Sequence, residues 1–168
     1  MFQLKPLTHE GIPAALEKAF RYRLLNEPEQ AASICEDVLR VEPENQDALT
    51  TLILAHTDRI YGPRPVPPQA ARALLPKLKS EYDRVYFAGI IEEREGIAWL
   101  RSGKPRSGIA AYSCLRAAMR HFEAAEKLRP AANDDALLRW NSCARMILAH
   151  DDVAPADEGV DESLTAGD

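Results

Sequence analysis

The sequence predicts an all-α protein assembled from a repeated helix pair, and three observations predict it. Apolar residues recur at three- and four-residue spacing through most of the chain, and no stretch alternates as a half-buried strand does. AASICEDVLRVEPEN (31–45) and AMRHFEAAEKLRP (118–130) set the same residue types at the same offsets. Ala31, Cys35, Val38 and Pro43 fall at steps of four, three and five, as do Ala118, Phe122, Ala125 and Pro130. Finally, PENQDAL (43–49) returns as PAANDDAL (130–137) with one residue added, so a helix stop and the start of the next helix recur together.

Taken in order, the first helix begins near Ile12, with Pro13 in the first turn where its missing N–H costs nothing, and ends near Leu25 before Asn26. The second begins at Pro28 and carries Ala31, Cys35, Val38 and Val41 on one stripe. It must stop at Glu42, because the residue before Pro43 is pushed out of the helical region. Asn45 can cap a third helix, with Asp47 in its first turn and Ala48, Leu49, Leu52, Ile53 and Ile60 available for burial. YGPRPVPP (61–68) favours extended backbone, and Pro76 interrupts ALLPKLKSEY. Only Gly96 and Trp99 in EREGIAWLRSG give residues 69–102 the look of a repeat's first helix. A long helix follows from about 106 to 128, and a last one closes the chain before 150. Pro43 and Pro130 stand 87 residues apart, not a multiple of a helix-pair repeat of about 34. The proline-rich insert and the overlong helix absorb the difference.

With 168 residues, 46% apolar and 28% charged, residues 1–150 suit one globular domain. Of the 26 acids, seven lie from Asp151 onward among no Lys or Arg, leaving 19 against 21 bases in the rest. Residues 151–168 are small and acidic, which predicts a disordered tail. MFQLKPLTHE lacks the apolar run of a signal peptide and nothing approaches a membrane span, so a cytoplasmic protein without membrane contact is expected. Cys35, Cys114 and Cys143 are odd in number and lack the CxxC spacing, which argues for reduced, buried thiols rather than a disulfide framework or a metal knuckle.

These residues resemble the tetratricopeptide repeat. Its second helix carries an Ala, an aromatic four residues later and a terminating Pro, matched by Ala118, Phe122 and Pro130, and by Ala31, Cys35 and Pro43 with Cys35 replacing the aromatic. Tyr22 and Ala19 match the first helix, while Ala15 and Lys18 replace its large residues. The resemblance covers about 12–60 and 93–149, with a degenerate centre. It implies a right-handed solenoid of antiparallel helix pairs, about three repeats plus a C-terminal capping helix. It also implies a concave groove formed by the first helices, for a protein or peptide partner or a second copy. Carried onto this chain, the groove face holds Leu16, Phe20, Arg23, Thr50, Leu54, Thr57, Glu93, Ile97 and Asn141. Leu16 and Phe20 stand where members that grip a terminal carboxylate have polar residues, which argues against such a clamp.

Catalytic and metal signatures are weak. The residues three before His9, His56, His121 and His150 are Pro6, Ile53, Ala118 and Ile147, so the Glu-x-x-His pairs of a di-iron bundle are missing, as is His-Glu-x-x-His. RSGKPRSG (101–108) lacks the phosphate-loop spacing and reads as a basic turn. Trp99 and Trp140 read as core anchors, and the glutamates of IIEEREG (90–96) as intrahelical ion-pair partners. No catalytic residue, metal or cofactor is expected. A rival binding mode comes from residues 101–130, where seven bases face two acids and Arg116, Arg120 and Lys127 share one helix face. That face could meet nucleic acid or an acidic protein, although without interleaved aromatics it argues only weakly for nucleic acid. The reading favoured by the sequence is a noncatalytic adaptor.

Overall fold

A computed structural model describes residues 2–156. Seven α-helices follow one another: α1 (Ile12–Leu24), α2 (Pro28–Val41), α3 (Gln46–Thr57), α4 (Pro68–Arg72), α5 (Glu81–Ser102), α6 (Ser107–Leu128) and α7 (Asp135–Leu148). No strand occurs among the described residues, so the fold is all-α. Helices adjacent in sequence pack on one another along the whole chain, and α3 also touches α5 across the short α4.

Local chemistry accounts for the boundaries. Pro13 and Pro28 sit in the first turns of α1 and α2, and between these helices Asn26 takes the left-handed conformation at φ 61°. The α2 helix stops at Val41, two residues before Pro43. The Asn45 side-chain oxygen accepts the Ala48 N–H at 2.9 Å and opens α3. Ser80 does the same for α5, accepting from Asp83 N–H at 3.1 Å, and Gly103 at φ 58° ends that helix. The proline-rich stretch after α3 forms a loop closed by Val66 N–H donating to the Arg59 carbonyl at 2.8 Å.

The centre of the chain differs from the sequence expectation. α5 starts at Glu81 rather than near Glu93, and it runs for 22 residues, as α6 does. Gly89 lies against Phe122 and Gly96 against Leu115, a pairing that makes the two helices antiparallel over their length. α4, the helix that follows α3, has only five residues, so its place beside α3 is filled by one short turn of chain. Arg72 at its end reaches Glu92 and Glu95 of α5 at 2.8 and 2.7 Å. Trp99 is a second correction: it is 36% exposed at the surface rather than a core anchor, while Trp140 is half-buried and its indole N–H donates to Glu123 at 2.8 Å. The packed chain also runs beyond residue 150, because Val153 is buried in the core and the Asp152 carbonyl abuts Gly108. The remaining acidic residues, 157–168, and with them the expected disorder, lie outside the described residues.

Two apolar clusters form the interior. One joins α1, α2 and α3 around Ala19, Ala31, Cys35, Val38 and Leu52. The other joins α3, α5, α6 and α7 around Leu49, Ile90, Leu115, Phe122 and Cys143. Leu39 and Leu74 touch both. Every residue of the two repeated Ala, bulky, small triplets is fully buried.

A Cβ placed on Gly89 would stand 2.6 Å from the Phe122 ring. Alanine adds helix propensity of about 1 kcal/mol over glycine, but overpacking a filled core costs about 1 to 3 kcal/mol. Gly89→Ala is therefore expected to lower the thermal midpoint. Phe122→Leu, costly alone, should lose much less when combined with Gly89→Ala, because the added methyl then enters the space the ring vacates. Melts of the two single variants and the double variant measure this coupling, and additive losses would contradict it.

Candidate functional site

The side chains expected on the groove face separate into three groups. Leu16 and Phe20 line an open groove of about 780 Å³ along α1, with Ile12, Pro13 and Leu24 as further apolar walls and Glu17, Arg21, Glu42 and Asp47 at its edge. Phe20 is 52% exposed and Leu24 80%. Arg23, Thr57 and Ile97 line a neighbouring cleft of about 400 Å³ between the C-terminal ends of α1, α3 and α5. Leu24 lines both cavities, so the apolar groove and the cleft share one wall.

The third group is not at either cavity. Thr50 is half-buried and its hydroxyl donates to the Gln46 carbonyl of its own helix at 3.0 Å. Leu54 is half-buried against the second apolar cluster, and Asn141 is half-buried on α7. Glu93 corrects the expectation most sharply. It is 1% exposed, and its carboxylate accepts from the Arg139 guanidinium of α7 at 3.2 Å. Burial pushes the Glu93 carboxyl up from its ordinary range, against the opposing pull of Arg139 and Arg94. The pair ties α7 to α5 rather than facing a partner.

Polarity in the cleft comes from residues the expected groove face did not include. Arg94 and Arg101 stand on α5 one turn either side of Ile97 and Ala98, and all four line the cleft. Their spacing of seven puts them on one helix face, a signal legible in EREGIAWLRSG once that segment is taken as helix. Asp58, just past α3, holds Arg23 at 2.7 Å and lies 3.8 Å from Arg94. Thr57 contributes little polarity because it is 3% exposed and donates its hydroxyl to the Leu54 carbonyl at 2.8 Å. Two guanidinium groups, Arg23 and Arg94, thus share the Asp58 carboxylate, and Arg101, which lines the same cleft, has no ion-pair partner among the described residues. The Arg94 Nε is buried without an acceptor among them.

Outside the cleft, the buried His56 Nδ1 and Arg59 Nε also lack a partner among the described residues, whereas the acidic cluster on α5 is satisfied. The carboxylates of Glu92 and Glu95 approach the Cys114 thiol, but Arg72 already binds both. Burial pushes the Cys114 thiol up to about 11 and those of Cys35 and Cys143 up to about 12, so the reactive thiolate is scarce at neutral pH. Cys35 and Cys143 are buried and Cys114 is half-buried, all three as free thiols. Arg116 is half-buried and donates to the Met119 sulfur at 3.6 Å, whereas Arg120 and Lys127 are exposed. No helix among the described residues is long and apolar enough to cross a membrane. No protein-family model, curated protein or solved structure matches the chain.

The buried pair makes a prediction with a defined sign. Removing Arg139 leaves the Glu93 charge uncompensated, and Arg139→Leu should cost about 1 to 3 kcal/mol, less than a fully buried pair because the guanidinium is partly open to solvent. Without Arg139 the Glu93 carboxyl rises further, so the folded state holds its proton where the unfolded chain does not. The stability this proton supplies is present at low pH and is lost as pH rises through the folded-state value. Relative to wild type, the deficit of Arg139→Leu should therefore be largest near pH 8 and shrink toward about pH 5. Denaturant midpoints across that range check it.

Proposed function

We propose that this chain is a noncatalytic, tetratricopeptide-like adaptor that binds a peptide or protein partner along the face made by α1, α3 and α5. The observation that carries the reading is the apolar wall of Leu16 and the exposed Phe20 and Leu24, beside an arginine-lined cleft that also has Leu24 in its lining. Water-exposed aromatic and leucine side chains in a concave surface gain free energy when a partner covers them, at about 25 cal/mol per Å² removed from water. Guanidinium groups at one end give such a partner a direction. An extended or helical peptide with two or three apolar anchors followed by an acidic group suits this sequence of surfaces. The likeness of the Ala, aromatic, Pro repeat supports the same reading, since its first helices are the ones that line this face.

A second reading rests on the exposed Arg120 and Lys127 of α6, which have no ion-pair partner among the described residues and offer a surface to nucleic acid or an acidic protein. Partner capture from the native cell separates the two. Phe20→Ala and Leu24→Ala should each weaken capture by at least about 1 kcal/mol, roughly fivefold, if they are anchors, with helicity and melting temperature unchanged because both side chains are exposed. Arg120→Ala should leave capture intact. Capture that survives the two groove substitutions but is lost with Arg120→Ala, and that weakens steeply with salt, would move the function to the α6 exterior.

A further inference from the structure

The arginine cleft and the acidic end of the chain lie on the same end of the molecule. α5 delivers Arg101 at its C-terminus, and the turn that follows it leads into Gly108, whose backbone meets the Asp152 carbonyl. Val153, the next residue, is buried and anchors the chain there, four residues before position 157. Those residues carry five acids and no base, whereas the stretch between Glu95 and Glu123 carries five bases and no acid. We propose that the segment around Asp161 and Glu162 docks in cis in the cleft of Arg23, Arg94 and Arg101, as an internal competitor for whatever anionic group that cleft receives.

Reach permits it. Arg101 is seven residues from Gly108, so even extended chain would separate them by no more than about 25 Å. Asp161 and Glu162 lie eight and nine residues beyond Val153, a span of up to about 26 to 32 Å. Charge favours it, because Asp58, the one carboxylate lining the cleft, already pairs with Arg23 and Arg94, while Arg101 has no ion-pair partner among the described residues. Carboxylate and guanidinium make paired, charge-assisted hydrogen bonds in such a setting. Tethering lowers the affinity required, since a short linker holds the segment at an effective concentration of about millimolar. On the exterior of α6, Lys127 lies near the far end of a helix about 33 Å long, and Arg116 and Arg120, which are nearer, are the internal comparison of the test. Docking is intramolecular and is read on the isolated protein, so it stands or falls separately from the groove reading.

The test uses the full chain labelled with ¹⁵N and observes the arginine Nε–H resonances at low salt. Wild type is compared with a variant carrying Asp157→Asn, Glu158→Gln, Asp161→Asn and Glu162→Gln, all outside the described residues. The expected result is that Arg23, Arg94 and Arg101 shift on neutralisation while Arg116 and Arg120 stay in place, and that raising the salt of the wild type reproduces the shift. Hexaglutamate titrated into both proteins should bind the neutralised variant several-fold more tightly than the wild type, and Arg101→Gln should abolish that gain. Unmoved cleft arginines, or equal shifts at Arg116 and Arg120, would overturn the proposal, the latter by showing diffuse screening. Equal hexaglutamate affinity for the two proteins would overturn it as well.

Discussion

A glycine in mid-helix weakens that helix, yet α5 carries two, and both lie where α6 comes closest. The Phe122 ring occupies the space a Gly89 side chain would need, and Leu115 presses on Gly96 in the same way. The loss of helix propensity, about 1 kcal/mol per glycine, is offset by complete burial of a phenylalanine and a leucine, each worth about 1.5 to 3 kcal/mol. Close approach of these two long helices then fixes where α3 and α7 can sit, since both pack on the flanks of the same hairpin. It also fixes the direction of Arg94 and Arg101, which project from α5 on the side turned toward α1 and α3.

Charge is arranged around that hairpin with different degrees of compensation. Arg72 satisfies Glu92 and Glu95, and Arg139 satisfies Glu93, so the three central acids of α5 are bound from α4 and α7. Arginines on the remaining face of the helix have only Asp58. The face of α5 that carries Arg94 and Arg101 is therefore positive, although the helix as a whole holds five acids against three arginines. The distinction between the two sets is geometric: neighbouring helices cover Glu93 completely, while the cleft leaves the guanidinium ends near solvent. Electrostatic selectivity in the cleft is therefore a product of packing rather than of net charge.

Much of the fold was legible because the signals were local. Pro43, Asn45, Pro13 and Pro28 act through backbone chemistry within a few residues, and each boundary they predict agrees with the structure to within a residue or two. Ala118 and Phe122, singled out by the repeated offsets, are both fully buried. The start of α5 was hidden by Pro76, whose disruption ends at a short 3-10 turn (Leu75–Lys77), and by the easily missed cap at Ser80. The site was legible only in part. Leu16, Phe20, Arg23 and Ile97 lie at the two cavities, but Glu93 faces inward because α7 brings an arginine to it from 46 residues away, a partner no local spacing announces. Trp99 failed for the opposite reason: helical spacing among apolar neighbours gives its face, but the proline-rich loop beside it leaves that face partly open.

The short α4 connects these points to function. In an array of equal helix pairs each second helix backs its first, and α4 has only five residues where α2 has 14. The chain compensates by folding the loop between α3 and α4 around the ends of both helices, where Tyr61 donates to the Arg101 carbonyl at 3.2 Å. That contact places the loop against the C-terminal end of α5 and closes one wall of the cleft, since Ile60 and Tyr61 both line it. A full-length second helix at this position would have needed a short turn after α3, with no chain to spare for the wall. The short α4 and the long loop before it thus build one wall of the arginine cleft.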